Sequence, residues 1–255
     1  MQNIKQDIKD KLSSVLRAKF SSYAPETSYM PFHTRLLGKD KMALYSFIQS
    51  LNTNFGTSIF EPVALELAKN NFNIAKKQVE VGTKISAKAQ MAIENIMSHL
   101  ESGENKPNRD LEKERILKVA KSGNFVNIKP TKADLFLQKD SQIYLIDIKT
   151  AKPNKGGFRD MKRTLLTWTA CCELEYSDIH TLIAIPYNPY EPKPYERWSA
   201  VGMLDLAQEL RVAGEFWDFL GGSGSYDMLL EAFEEVGCEM REEIDEYFRN
   251  FRYLR

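Results

Sequence analysis

Two short apolar stretches, separated by a polar turn and each carrying one aspartate, constrain the fold of this chain more than any other feature. The first covers residues 133–137, the turn covers 138–142, and the second covers 143–149. Runs of this length and composition are typical of β-strands, and the short connection favours an antiparallel hairpin. Because side chains alternate between the two faces of a strand, Asp147 and Lys149 share a face. A turn at 139–142 would set Asp134 opposite the end of the second strand.

An apolar strand tolerates an unpaired carboxylate poorly, since burying one costs several kcal/mol, and a hard cation is one possible partner. Mg²⁺ prefers oxygen ligands and is commonly held by one or two carboxylates. We therefore predict a Mg²⁺ site at Asp134 and Asp147, with the backbone carbonyl of Ile148 as a further ligand. Lys149 could orient or deprotonate an attacking water and offset charge on a phosphorane, so the pattern predicts phosphodiester hydrolysis. The alternative is that Asp134 and Lys149 are exposed strand-end residues and that Asp147 only pairs with a lysine.

The elements around this hairpin predict an α/β (α+β) fold with a central mixed sheet flanked by helices. A polar loop at 150–157 precedes a helical pattern at 159–176, and the apolar run 181–185 reads as a buried strand reached through that helix. Upstream, 124–129 is the predicted first strand. The expected order is strand, strand, strand, helix, strand.

These residues resemble the PD-(D/E)xK nuclease superfamily, in which a central mixed sheet carries this order of elements. More narrowly, the segments 32–38 (FHTRLLG), 60–62 (FEP) and 147–158 (DIKTAKPNKGGF) resemble the TdeIII-type family of type II restriction endonucleases. One departure is that Ala133 occupies the place of the proline that usually precedes the first aspartate of the superfamily motif.

The resemblance implies a Mg²⁺-dependent type II restriction endonuclease that cuts double-stranded DNA at a short palindrome, GGNCC, and leaves 5′-phosphate ends. It also implies a cognate DNA methyltransferase, and a palindromic target favours a homodimer. In this superfamily a further carboxylate often comes from the preceding helix, which makes Glu61 the predicted helper at the metal site and Glu66 its rival. The alternative for Glu61 is that it only favours a helix start, with Pro62 at the first helical position.

The zero net charge of the chain conceals a basic segment at 149–163, which has six basic residues and one acidic residue. This segment leaves the end of the second hairpin strand, so it could run beside a DNA backbone. The predicted DNA contacts are Lys152, Asn154, Lys155, Arg159, Lys162 and Arg163. A basic loop and helix start can equally be a solvated face. The proline- and tyrosine-rich tract 185–198 is either a stiff packed connection or a base-reading loop that uses Asn188, Lys193 or Arg197.

We predict a single domain over residues 1–255, with a mainly helical region at 1–110, the catalytic core at 120–190 and a helical region at 200–255. From Leu204 onward the chain has five arginines against thirteen acidic residues, on an amphipathic helical pattern. Helices are expected at 2–20, 42–52, 62–72 and 86–100. No apolar run approaches the ~18 residues of a membrane helix and no signal-peptide core is present, so we expect no membrane association and a cytoplasmic location.

Two other functions remain open from the residues. One is a DNA repair or junction-resolving nuclease with the same core. The other is a non-catalytic DNA-binding or assembly protein in which the hairpin carboxylates only pair with neighbouring lysines.

Overall fold

The computed structural model describes residues 2–24, 30–149, 151–172, 175–176 and 178–251. The chain divides into two compact units, Met1–Val63 with Gly224–Arg255, and Ala64–Ser223. The single-domain organisation expected from the sequence stays a prediction.

The first unit is helical. Its helices are α1 (Gln2–Ser22), α2 (Pro31–Leu37) and α3 (Lys39–Phe55), followed by a π-helical turn (Gly56–Phe60) and the start of α4 (Glu61–Ala68), with α10 (Ser225–Glu239) and α11 (Arg241–Phe251) from the end of the chain. An aromatic cluster of Phe20, Phe47, Tyr247 and Phe248 joins α1, α3 and α11.

The structure explains the acidic composition of the C-terminal region. Lys5 and Lys9 of α1 both bind Glu235 of α10, at 2.7 and 2.8 Å, and Arg17 binds Glu243 of α11 at 2.7 Å. Exposed pairs of this kind contribute little to stability, because water and salt screen the charges. Part of the acidic excess of the C-terminal region thus lies against basic residues of α1.

The second unit is built around two sheets. Its strands are β1 (Ile74–Val81), β2 (Lys84–Ser86), β3 (Phe125–Asn127), β4 (Thr131–Lys139), β5 (Gln142–Ile148), β6 (Asp178–Ile185) and β7 (Leu210–Val212). Its helices, besides the end of α4, are α5 (Ala87–Ser102), α6 (Arg109–Ala120), α7 (Lys155–Cys172), α8 (Trp198–Val201) and α9 (Gly214–Gly221).

The larger sheet has five strands in the order β1-β4-β5-β6-β7. The pairs β1–β4 and β4–β5 are antiparallel, whereas β5–β6 and β6–β7 are parallel. Helix α7 makes the crossover from β5 to β6, as parallel neighbours require. This confirms the predicted α/β architecture with a central mixed sheet flanked by helices.

The sheet is buried where its strands are apolar. Leu135 and Leu137 of β4, Ile143 and Leu145 of β5, and Ile183 of β6 are all at most 1% exposed. Burying each such side chain stabilises the fold by about 1.5–3 kcal/mol. The core therefore forms around β4, β5 and β6, the strands that hold the two aspartates and their neighbour.

Several predicted elements have different positions in the structure. The predicted first strand at 124–129 is wrong for the central sheet, because β3 pairs only with β2 in a separate two-stranded sheet. The first strand of the central sheet is β1, which the sequence reading missed because Lys76, Lys77 and Gln78 interrupt its apolar pattern. Helices α2 and α6 were also missed, and α7 begins at Lys155, within the predicted loop. In the part of the chain that is described, no helix is long and apolar enough to cross a membrane.

Candidate active site

The predicted acidic hairpin is present, and its register brings the two aspartates together. Strands β4 and β5 pair from Lys139↔Gln142 to Leu135↔Ile146. One further step along the same register sets Asp134 opposite Asp147. Asp140, at the tight turn, adopts a φ of 54°, a conformation that aspartate accepts more readily than most residues.

The carboxylate of Asp134 is held by strands on both sides of β4. Its Oδ2 accepts a hydrogen bond of 2.7 Å from the backbone N–H of Ile148 on β5. Its Oδ1 accepts one of 3.0 Å from the Nε2 of Gln78 on β1. Each oxygen has a second lone pair, so both can still reach a cation.

Asp147 is buried, at 7% exposure, and faces two charged neighbours. Its Oδ1 lies 2.5 Å from the Nζ of Lys149. Burial raises the pKa of Asp147 to about 7, Lys149 opposes that rise, and the nearby Asp134 adds to it. The site therefore places two carboxylates side by side with one lysine, an arrangement in which more positive charge would be favourable.

The sequence profile of the family described as "Type II restriction endonuclease, HinfI" matches residues 1–237 of this chain. The chain belongs to the HinfI family of type II restriction endonucleases. Curated relatives cover most of its length. The type II restriction enzyme HgiCII of Herpetosiphon aurantiacus is 27% identical over 84% of this chain and 80% of its own. HgiEI of the same organism is 26% identical over 93% and 94%, and MjaII of Methanocaldococcus jannaschii is 25% identical over 87% and 66%.

Membership of the HinfI family makes this chain a site-specific endonuclease with double-stranded DNA as its substrate. It thereby favours restriction over the repair and non-catalytic alternatives. Type II restriction endonucleases generally use a divalent metal ion, and the donor set at the hairpin fits one. Two carboxylates, one of them buried and raised in pKa by burial and by the other, are the hard oxygen ligands that such ions bind.

A third acidic ligand is not supplied by this cluster. Within the described residues, no group of three or more His, Cys, Asp or Glu side chains is arranged to hold a metal ion. The residues that would hold such an ion are Asp134 and Asp147, with the backbone carbonyl of Ile148 as the predicted further ligand.

Glu61 belongs to the first unit, and its part in catalysis stays a prediction. Helix α4 begins at Glu61, directly after α3 and the π-helical turn, with Pro62 in its first turn. The alternative that Glu61 only favours a helix start therefore stays open beside the metal-site prediction. Pro62 lacks the N–H of a regular helical turn, which gives a physical reason for the π-helical turn just before it. Glu66, the rival, is partly exposed and pairs with Lys69 at 2.6 Å.

The basic segment after β5 splits into residues that remain accessible and one that does not. Lys152 and Lys155 place their ammonium groups 5.6 Å from the ring centre of Tyr190 and 5.7 Å from that of Trp198. These distances fit cation–π contacts, so the tract 185–198 holds both lysines in place. Trp198 is 70% exposed, which leaves an open aromatic and basic surface beside the loop.

The remaining predicted DNA contacts already have protein partners. Arg163 pairs with Glu94, and Arg159 lies near Glu101 and Asp160. Asn154 accepts a hydrogen bond of 2.7 Å from the N–H of Gly157, so it caps the start of α7. Thr150, part of the motif that carries the family resemblance, lies outside the described residues.

The prediction that Lys162 contacts DNA is wrong. Its side chain is fully buried, with Nζ 2.7 and 2.6 Å from the two carboxylate oxygens of Glu209, and it also pairs with Glu112. A side chain in this position cannot reach a DNA backbone. Its basic character serves to join α6, α7 and the segment before β7.

The tract 185–198 is first of all a packed connection. Asn188 accepts from the N–H of Tyr190 at 3.0 Å and donates to the carbonyl of Lys193 at 2.7 Å, which closes the loop on itself. Tyr195 donates to the carbonyl of Ala151 at 2.9 Å. These contacts support the structural reading for Asn188, while Lys193 stays exposed at the loop tip.

Gln78 is the residue of the site that sequence reasoning missed. It lies in an edge strand whose polar sequence gives no periodic signal, some 56 residues before the carboxylate that it contacts. Only the pairing of β1 with β4 reveals it.

Proposed function

We propose that this protein is a Mg²⁺-dependent type II restriction endonuclease whose active site is formed by Asp134, Asp147 and Lys149. The observation that carries the proposal is the register of the β4–β5 hairpin, which sets the two carboxylates side by side with Lys149 at 2.5 Å from Asp147. Family membership supports DNA cleavage as the reaction, and the hairpin provides the side chains that we propose carry it out.

Each residue of the site has a distinct task in this proposal. Asp134 and Asp147 hold the cation, with the Ile148 carbonyl as a further ligand, and the role of Glu61 as the assisting carboxylate stays a prediction. A Mg²⁺ ion held by these residues would supply Lewis-acid polarisation of the scissile phosphate and would offset developing negative charge. Lys149, whose side chain is 38% exposed beside the buried Asp147, is placed to orient or deprotonate the attacking water.

In-line attack of water on phosphorus would break the P–O3′ bond, so that the 3′-oxygen leaves and takes up a proton and the phosphate remains on the 5′ end. The proposed target is the interrupted palindrome GGNCC, which follows from the narrower resemblance to TdeIII-type enzymes. A palindromic target is cut most simply by a homodimer, because each active site then cleaves one strand. A cognate methyltransferase would protect the host DNA.

The proposed DNA path crosses the exposed part of the basic segment. Lys152 and Lys155 are its best-supported contacts, because both are held beside the aromatic rings of the following loop. Asn154, Arg159 and Arg163 stay in the proposal as neighbours that could exchange a protein partner for a phosphate. Lys162 is excluded by its burial.

The test is digestion of unmethylated phage DNA by the purified protein, in Mg²⁺ or in EDTA, with sequencing of the fragment ends. Discrete Mg²⁺-dependent ends at GGNCC that a ligase joins without prior phosphorylation would support metal, target and product ends together. Discrete ends at another sequence would reject GGNCC alone. Intact DNA in every condition would reject the proposed activity.

Site variants complete the test. Asp134→Asn, Asp147→Asn and Lys149→Met should each lower the cleavage rate by at least about a thousandfold, because they remove ligands or a group that acts on the transition state. Asp140→Asn, at the exposed turn of the same hairpin, is the matched control and should cut at the wild-type rate. Normal cutting by all three site variants would overturn the assignment.

A further inference from the structure

Gln78 stands directly across from Asp134 in the central sheet. Strand β1 is one of the two edge strands of that sheet in the described residues, and its partner there is β4. Its register pairs Lys77 with Leu135 and Val79 with Ala133, so the position between them faces Asp134. The two residues therefore meet through strand pairing and do not depend on a loop.

The backbone of Gln78 adopts an unusual conformation for a strand residue. Its φ is 55°, in the left-handed region that residues other than glycine rarely adopt. The other non-glycine residues with positive φ in the described chain lie outside strands: Asp140 at the hairpin turn and Ala213 just before α9. A costly conformation in the middle of a strand, beside the candidate catalytic residues, points to a local function.

In this conformation, the side chain of Gln78 makes a specific hydrogen bond. Its Nε2 donates a hydrogen bond of 3.0 Å to Oδ1 of Asp134, while the Ile148 N–H donates to Oδ2 at 2.7 Å. The carboxylate is thus fixed in rotation by one donor on each neighbouring strand. A carboxylate oriented in this way presents its free lone pairs in one direction, and groups that orient metal ligands raise metal affinity.

We propose that Gln78 is a positioning residue that holds the Asp134 carboxylate in the orientation needed to bind a divalent cation. This inference rests on the proposed function, in which Asp134 and Asp147 form the metal site. Gln78 acts through Asp134, and its amide is placed to keep the carboxylate aligned both before the cation arrives and while it is bound.

The direct measurement is binding of Mn²⁺ alone to the DNA-free protein, with free Mn²⁺ counted by electron paramagnetic resonance. Carboxylate sites that suit Mg²⁺ also accept Mn²⁺. Gln78→Met keeps the length of the side chain and removes the donor, so it should weaken Mn²⁺ binding by about 10–100-fold. Cleavage by this variant should need a correspondingly higher Mg²⁺ concentration for half-maximal rate.

Two further variants separate positioning from a structural role. Gln78→Gly also lacks the amide but suits a positive φ, so it should lose cation affinity like Gln78→Met while unfolding at the wild-type temperature or above. Gln138→Met makes the same chemical change at the far end of the β1–β4 ladder, where Gln138 pairs with Ile74, and should bind Mn²⁺ normally. Wild-type affinity in Gln78→Met, or normal affinity in Gln78→Gly, would overturn the proposal.

The same titration distinguishes this inference from the site on which it rests. Asp134→Asn and Asp147→Asn should abolish tight Mn²⁺ binding. If they do and Gln78→Met does not, only the positioning role fails. If the two aspartate variants bind Mn²⁺ like the wild type, the proposed metal site itself is wrong.

Discussion

Replacing Asp147 with asparagine should stabilise the metal-free protein at the same time as it abolishes cleavage. Asp147 is 7% exposed, and its burial raises its pKa from 3.8 to about 7. Each pKa unit corresponds to about 1.4 kcal/mol, so the charged carboxylate costs the fold about 4 kcal/mol at pH 8. Asparagine removes the charge but leaves a buried amide to satisfy, which costs about 1–3 kcal/mol. The expected net gain is about 2 kcal/mol.

The gain should depend on pH in a defined direction. A carboxyl group whose pKa is higher in the folded state binds its proton more tightly there than in the unfolded chain. The cost of Asp147 is therefore absent below about pH 4, grows as the pH rises toward 7 and is complete above 7. The variant should exceed the wild type in stability at pH 8, and the difference should shrink at pH 5.

Urea denaturation in EDTA at pH 8 and pH 5, monitored by circular dichroism, measures the gain in stability and its dependence on pH. Asp140→Asn is the control, because the Asp140 carboxylate is exposed. The free energy of unfolding of this variant should differ from that of the wild type by less than about 0.5 kcal/mol. Added Mg²⁺ should stabilise the wild type and leave Asp147→Asn unchanged, since only a folded state that binds the ion gains stability from it. An Asp147→Asn variant no more stable than the wild type at pH 8 would refute the claim that this site is held at a cost in stability.

Two other outcomes follow from the charged groups around α7. Lys162→Met should lower the free energy of unfolding by about 3–5 kcal/mol in urea, because it leaves Glu112 and Glu209 buried without their cation; a loss below about 1 kcal/mol would contradict the buried cluster. The double variant Lys155→Ala with Arg159→Ala should weaken DNA binding in EDTA and reduce the slope of log K against log salt by about 2, measured by fluorescence anisotropy, whereas an unchanged slope would remove both residues from the DNA path.

The acidic hairpin was predictable because everything that forms it is close in sequence. Apolar runs on either side of a polar turn determine β4 and β5, and the alternation of side chains determines which residues share a face. The crossover to β6 followed from one continuous apolar run. The strand β1 was not predictable in this way, because its Lys-Lys-Gln run is tolerated only at a sheet edge beside β4. The strand predicted at 124–129 forms as β3, but it lies outside the central sheet because its partner is β2.

Lys162 and Gln78 show most clearly what could not be predicted from the sequence. By composition Lys162 belongs to a basic run that suits a phosphate backbone, yet packing of α7 places it between two glutamates from distant parts of the chain. Nothing near Gln78 in the sequence indicates that it contacts a carboxylate of the candidate site. The local sequence was sufficient to single out the two aspartates and the lysine as the candidate site, because the pairing of the two hairpin strands depends on residues close together in the chain. Which groups surround them was decided only by the tertiary structure, because the strand pairing and helix packing that bring those groups in join residues far apart in the chain.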